Sequence, residues 1–262
     1  MNKAEVLKKL EIFNDDKFVF VEDVHKYYYD GVELTSATTF LKNFCIPFDE
    51  QYWSAKKAKD EGITQEEMLE KWDKIRNDAC DVGNRLHLYI ENFYENKSEC
   101  RIDEDIKHRI NEFHRMDNDF LSKMDSIGSE IKCFLLKYGI CGTMDKLYLY
   151  KNTLIIGDWK SSKVISTDDD FAFNYLLPPF EKYKENEYNK YSIQTSLYAL
   201  MLEEIGLRIG YCFIAHIPKE GEYKIHRMRD FRKELKKYLE MLDFKKELKK
   251  YLDENKKWLL NQ

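Results

Sequence analysis

No C-x-x-C pair occurs in this chain, and its six cysteines (Cys45, Cys80, Cys100, Cys133, Cys141 and Cys212) stand singly. That spacing argues against a disulfide scaffold, so reduced thiols in a cytosolic setting are expected. A basic surplus is also missing: 43 Lys and Arg against 48 Asp and Glu leave a net charge of −5. This weighs against a binding-only role on nucleic acid, which needs a broad basic surface, but it tolerates a local basic groove beside an acidic site. No apolar run approaches the length of a membrane span, and MNKAEVLKKLEIF has no signal-peptide core, so a soluble chain without membrane contact is expected. What the chain does hold is 43% hydrophobic residues, 15% aromatic, over 262 positions. That suffices for one large packed domain with a helical lobe.

Along the chain, residues 1–47 read as a short helix and a β-hairpin turning at Asp30-Gly31. Residues 48–125 read as a charged helical lobe with Trp53, Met68, Trp72, Leu86, Ile90 and Phe93 as its core contacts. Residues 126–230 form the core, with GYCFIAHIP and EYKIHRM as closing strands. The segment from Thr167 to Tyr191 is too long for a simple connection. It is expected to be either a solvated insertion or a mobile flap with Tyr175, Tyr183 and Tyr188 free to stack on bases. Residues 231–262 form a tail with a near-repeat, FRKELKKYLEML then FKKELKKYLDEN; either a helix break near Asp243 or two halves that bury different faces is expected.

GTMDKLYLYKNTLIIGDWK, from Gly142 to Lys160, carries the densest chemistry. Leu147–Tyr150 and Thr153–Ile156 are two β-prone runs joined by a Lys151-Asn152 turn, with Asp145 and Asp158 at their edges and Lys160 two residues beyond. Residues two apart on a strand share a face, so Asp158 and Lys160 project together. Two carboxylates at one end of a hairpin make a hard-oxygen site for Mg2+, and an adjacent ammonium can orient a water or offset phosphate charge. Acidic-x-Lys triplets such as Asp105-Ile106-Lys107 and Glu234-Leu235-Lys236 are common in a chain that is 35% charged. What distinguishes Asp158-Trp159-Lys160 is its place at the end of a buried-type strand, where a charge pair needs partners or a task. A structural strand-end salt bridge is the alternative reading.

Three pieces join this pair. Glu130 in GSEIKCFLLKYGICGTMD brings a third carboxylate toward the same edge; YSIQTSLYALMLEEIG places Gln194 and Tyr198 one helical turn apart; GNRLHLYIENFY carries His87 on a helix. In this order (G-x-x-x-H, Glu, G-x-x-D, D-x-K, Q-x-x-x-Y) the chain resembles the RecB-like branch of the PD-(D/E)XK nucleases. That branch includes the nuclease domains of bacterial recombination helicase-nucleases, the mitochondrial genome-maintenance exonuclease and many phage exonucleases. VHKYYYDGVELTSATTFL is similar to the opening hairpin of the phage and mitochondrial members, with Ser36 and Thr38 in the Ser-x-Thr place.

The resemblance implies an α/β, restriction-endonuclease-like core with a central mixed β-sheet flanked by helices, plus the N-terminal β-hairpin and helical lobe. It implies a metal set of His87, Glu130, Asp145, Asp158 and the Trp159 carbonyl, with Gly83 one turn before His87. Lys160 would be the charge-stabilising lysine; Gln194 and Tyr198 would line the catalytic site and, with Ser36 and Thr38, meet the nucleic acid. The implied activity is Mg2+- or Mn2+-dependent hydrolysis of DNA from single-stranded ends, in recombination, repair or phage DNA metabolism. A helicase or recombinase partner and the cytoplasm of a bacterial or phage-infected cell go with it. Some branch members carry a four-cysteine iron–sulfur cluster; the spacing here does not match one, and none is expected. The alternatives are a catalytically weak binding or scaffold protein derived from a nuclease, a structure-specific endonuclease, and a hydrolase of small phosphoesters.

Overall fold

Left-handed backbone positions divide the β-rich parts of the chain into hairpins. A computed structural model of the protein describes residues 2–95, 102–243 and 246. Asp30 and Gly31, at φ 50° and 78°, turn β2 (Lys26–Tyr29) into β3 (Val32–Ser36). Lys151 and Asn152, at φ 47° and 65°, turn β5 (Ile140–Tyr150) into β6 (Thr153–Lys160). Two-residue reversals of this hand match the twist of the flanking strands and favour Gly, Asn and Asp. The expected N-terminal hairpin is present and larger than expected. β1 (Phe18–Val21) adds a third strand, and β3 runs parallel to the start of β5 through Thr35↔Ile140 and Ser36↔Cys141. The hairpin is therefore part of the main sheet.

That sheet is mixed and open, in the order β1-β2-β3-β5-β6-β7-β8, with β4 (Asp125–Leu135) paired to β5 off this path. β6 lies parallel to β7 (Ile209–His216), and β8 (Lys224–Arg227) closes the far edge. A parallel pair needs a crossover, and α6 (Glu187–Glu204) lies within it. Strand alternation feeds two cores. Leu154, Ile156, Cys212 and Ile214 join α6 and the N-terminal elements; Ile155, Trp159, Phe213 and Ala215 join α4 (Gln65–Glu95) and α5 (Glu104–Asp119). The protein is thus an α/β fold whose central sheet is flanked by helices.

Three expectations need correction. In the helical lobe, Met68, Leu86 and Ile90 are buried, but Trp53 and Phe93 are exposed and Trp72 is only partly covered. α3 (Glu50–Glu61) packs on the first part of α4, and Lys56 stacks over Trp53 at 5.0 Å. The segment 167–191 is tied down rather than a loose flap. Asp168 accepts from Asn186, Asn189 and Arg229, Leu177 N–H bonds Phe44 C=O at 2.8 Å, and Leu176 and Phe180 are buried in the core. Tyr183 packs on Phe231 and Tyr188 donates to Arg227 C=O, so of the three tyrosines only Tyr175 stands exposed. Asp145 lies in the middle of β5, not at the edge of a run.

In the tail, residues 232–243 are helical and bury Leu235 and Leu239, with Phe231 buried just before them. The second half of the near-repeat lies outside the described residues apart from Lys246, as does Cys100. The other five cysteines are free thiols. Among the described residues no helix is long and apolar enough to cross a membrane.

Candidate metal centre

β5 is paired along one edge with β4, while β3 and β6 share the other: β3 at residues 140–141, β6 at 146–150. Residues 142–145 have no strand partner on that edge. The β5–β6 ladder stops at Lys146↔Gly157, and Asp158, Trp159 and Lys160 continue paired to β7 alone. The sheet therefore splays at this point, and Asp145 bridges the gap by accepting from Trp159 N–H at 2.8 Å. Crevices at the carboxyl ends of strands, where neighbours diverge, are where α/β sheets bind ligands.

Three donors converge on the splay. On β4 the register runs Ser129↔Lys146 and Ile131↔Met144, which sets Glu130 opposite Asp145. Glu130 takes a left-handed φ of 47°, a conformation that costs a non-glycine residue about 1–3 kcal/mol and concentrates at functional sites. From α4, His87 brings its imidazole against both carboxylates: Nδ1 lies 3.6 Å from Asp145 Oδ2 and 3.8 Å from Glu130 Oε1. Ligand atoms of His87, Glu130 and Asp145 all fall within 4.8 Å of one another. Gly83, one turn before His87, faces Ser161, whose Oγ would lie 3.6 Å from an added Cβ.

The donor chemistry fits a divalent cation: carboxylate oxygens suit Mg2+, and an added imidazole suits Mn2+. A ring whose second nitrogen is held by a backbone carbonyl is the usual way a ligating histidine is oriented. His87 Nε2 is held in this manner by Trp159 C=O at 3.1 Å. The two other members of the expected metal set lie beside this group with partners of their own. The Trp159 carbonyl serves the imidazole, and Asp158 lies outside the three-residue group because its carboxylate is turned to the Lys160 ammonium. Asp158 and Lys160 form a close ion pair, with the Asp158 side chain only 2% exposed. The Trp159 ring packs in the opposite core against Phe113 and Phe213.

Charge couples the two sets. Burial would lower the His87 pKa, but Asp145 and Glu130 outweigh it and raise it to about 9. Burial and then the charge of Asp145 push Asp158 above the ordinary carboxylate range, against the pull of Lys160. Burial opposes the charge on Lys160, yet Asp158 and Asp145 hold its pKa above the ordinary lysine value.

Gln194 and Tyr198 meet as expected on α6, both buried, with Gln194 Nε2 donating to Tyr198 Oη at 3.1 Å. Tyr198 lies on bare β5 backbone: a Cβ at Gly142 would sit 2.7 Å from Tyr198 Cε1. Ser36 and Thr38 bond to each other and within the start of the next helix. Ser36 caps α2 (Ala37–Leu41) by accepting from Thr39 N–H at 3.2 Å and touches Thr38 Oγ1 at 3.0 Å. Sequence reasoning missed Tyr191, whose ring lies 5.0 Å from Lys160 Nζ. Its spacing three before Gln194 and seven before Tyr198 marks the same helix face and would have revealed it. Arg109 was also missed, and nothing in its local sequence singles it out.

No protein-family model matches the chain, and no curated protein matches it in sequence. The fold and site together define an α/β protein with a histidine–carboxylate group and a lysine–aspartate pair where its mixed sheet splays.

Proposed function

We propose that the chain is a Mg2+- or Mn2+-dependent deoxyribonuclease of the PD-(D/E)XK, RecB-like kind, with a restriction-endonuclease-like core, hydrolysing phosphodiester bonds from single-stranded DNA ends. The observation that carries this reading is the meeting of His87, Glu130 and Asp145 beside the Asp158–Lys160 pair. The motif order seen in the sequence adds the polymer substrate and the preference for ends.

His87, Glu130 and Asp145 would hold the ion, which when bound polarises a phosphoryl oxygen and lowers the pKa of a water. The protein's own residues do the rest. Trp159 fixes both the imidazole, through its carbonyl, and Asp145, through its N–H. Asp158 keeps the Lys160 ammonium at the mouth of the splay, where it offsets charge developing on the phosphate. Tyr191 screens one side of that ammonium with its ring.

The test uses a linear single-stranded oligonucleotide and its covalently closed circle at equal concentration, with EDTA, Mg2+ or Mn2+. Metal-dependent loss of the linear strand alone is expected; equal loss of the circle would replace the exonuclease with an endonuclease. Lys160→Ala and Asp158→Ala should each lower cleavage by about 10²–10³-fold, the cost of removing one charge-stabilising group. Absence of cleavage under every metal condition overturns the reading.

A further inference from the structure

Beside the metal centre a cleft of about 1140 Å3 runs between α4, the end of β6 and the turn after β7. Five arginines and lysines line it (Arg76, Arg109, Lys160, Lys163 and Lys219), with His87, against two acidic residues. Arg76 is ion-paired with Asp73 and Glu50, and Lys160 with Asp158. Arg109 differs from both. Its side chain comes from α5 and is 7% exposed, and its Nε is buried without a hydrogen-bond partner. The two remaining nitrogens make only long contacts to backbone carbonyls, Nη1 to Asp105 and Nη2 to Ser161, each at 3.3 Å. The Asp105 carboxylate one turn earlier is taken by Arg85 in a bidentate pair at 2.9 and 2.6 Å.

Arginine stays protonated in proteins, and a buried charge without a counter-charge is unfavourable. Among the described residues no carboxylate lies within ion-pair distance of Arg109; the charge of Asp105 acts on it from one turn away, but that carboxylate is shared with Arg85. Its contact with Ser161 C=O sets it one residue past Lys160 on the same cleft wall. Lys163 and Lys219 add two exposed ammonium groups from the β6 end and the turn after β7. A planar guanidinium in such a place matches the oxygens of a phosphate.

We infer that Arg109, with Lys163 and Lys219, is a seat for a backbone phosphate of the nucleic-acid strand next to the one being cleaved. This rests on the nuclease reading for the identity of the ligand, whereas the anion seat itself rests only on the cleft and on a guanidinium whose Nε is buried without a hydrogen-bond partner.

Two probes separate the two ideas. The first is the anisotropy of a fluorescein-labelled oligo(dT) of about twelve nucleotides, bound in EDTA so that no cleavage intervenes. Arg109→Gln should weaken binding by about tenfold and reduce the slope of log K against log salt by about 0.7, the value for one single-strand phosphate contact. The second probe is inorganic pyrophosphate, which should raise the melting temperature of the wild type and not of Arg109→Gln. Pyrophosphate binding through Arg109 without oligonucleotide binding would retain the seat and remove the nuclease reading. Oligonucleotide binding with affinity and salt slope unchanged in Arg109→Gln would overturn the seat and leave Arg109 as a clamp on the Ser161 carbonyl. If Arg109→Gln does not fold, the exposed Lys163→Gln and Lys219→Gln carry the same two measurements, and unchanged binding in both overturns the seat.

Discussion

His216 and His226 illustrate how single residues tie this fold to pH. His216 Nε2 bonds Ser162 C=O at 2.7 Å, and its ring lies 6.2 Å from that of His226, whose Nε2 is buried without a partner. Burial depresses both pKa values. Lys224 and Arg109 add to this at His216, against the Ser162 carbonyl; His216 and Lys224 add to it at His226. The folded protein therefore binds protons less readily than the unfolded chain between the depressed values and about 6.5, so this contribution is complete above pH 6.5 and lost as pH falls below it. His87 and Asp158, whose pKa values are raised, act in the opposite sense over this range, so the readout is a difference: between about pH 7.5 and about pH 5.5 the urea midpoint of the wild type should fall relative to that of His226→Phe. An equal change of midpoint in both proteins removes His226 from the account. At this scale the sequence was read well where chemistry is local. Asp30-Gly31 and Lys151-Asn152 were legible as turns, and Asp158 with Lys160 as a pair on one face. Arg109 was not legible, because its significance is a buried Nε without a partner, and that depends on Arg85 taking the Asp105 carboxylate.

Among the elements, contact between α6 and β5 is the closest test of packing. Gly142 lets the Tyr198 ring lie on the strand, and an added methyl would meet Cε1 at 2.7 Å. Gly142→Ala should destabilise the protein by about 1–3 kcal/mol, the usual cost of overpacking. Tyr198→Leu should relieve part of that penalty, and the coupling can be read from a double-mutant cycle in urea. Additive effects would mean that the ring moves aside freely. α6 itself was legible as a helix with an apolar face at Ile193, Leu197, Leu200 and Met201. Its burial on nearly every side was not, since Ser192, Thr195 and Ser196 look exposed in sequence. They are buried because their hydroxyls donate to the carbonyls of Tyr188, Tyr191 and Arg229.

For the molecule as a whole, the His87–Glu130–Asp145 group links parts of the chain that share no local structure: α4, β4 and β5 meet there, with α6 behind them. A ligand bound only by the folded state stabilises all of it at once. Mn2+ at a hundredfold excess over its Kd should stabilise the wild type by about 2.7 kcal/mol, read as a rise in melting temperature. Asp145→Asn should abolish the rise, while Lys163→Gln, outside the donor group, should retain it. A rise that persists in Asp145→Asn would place the ion elsewhere.

What the sequence by itself determined is what depends on neighbours along the chain: the left-handed turns, the period-two strands, the helical spacing of Gly83 and His87 and of Gln194 and Tyr198. Each follows from backbone sterics or from side-chain direction over a few residues. The tertiary structure alone decided the rest. It set Asp145 inside a strand that exchanges neighbours, turned Asp158 to Lys160, gave the Trp159 carbonyl to His87 and tied down the segment at 167–191. The basic cleft belongs here too, since no basic stripe runs along the chain. Arg109, Lys163 and Lys219 become one positive surface only when α5, the end of β6 and the turn after β7 meet, because electrostatic fields add in space and not along the sequence.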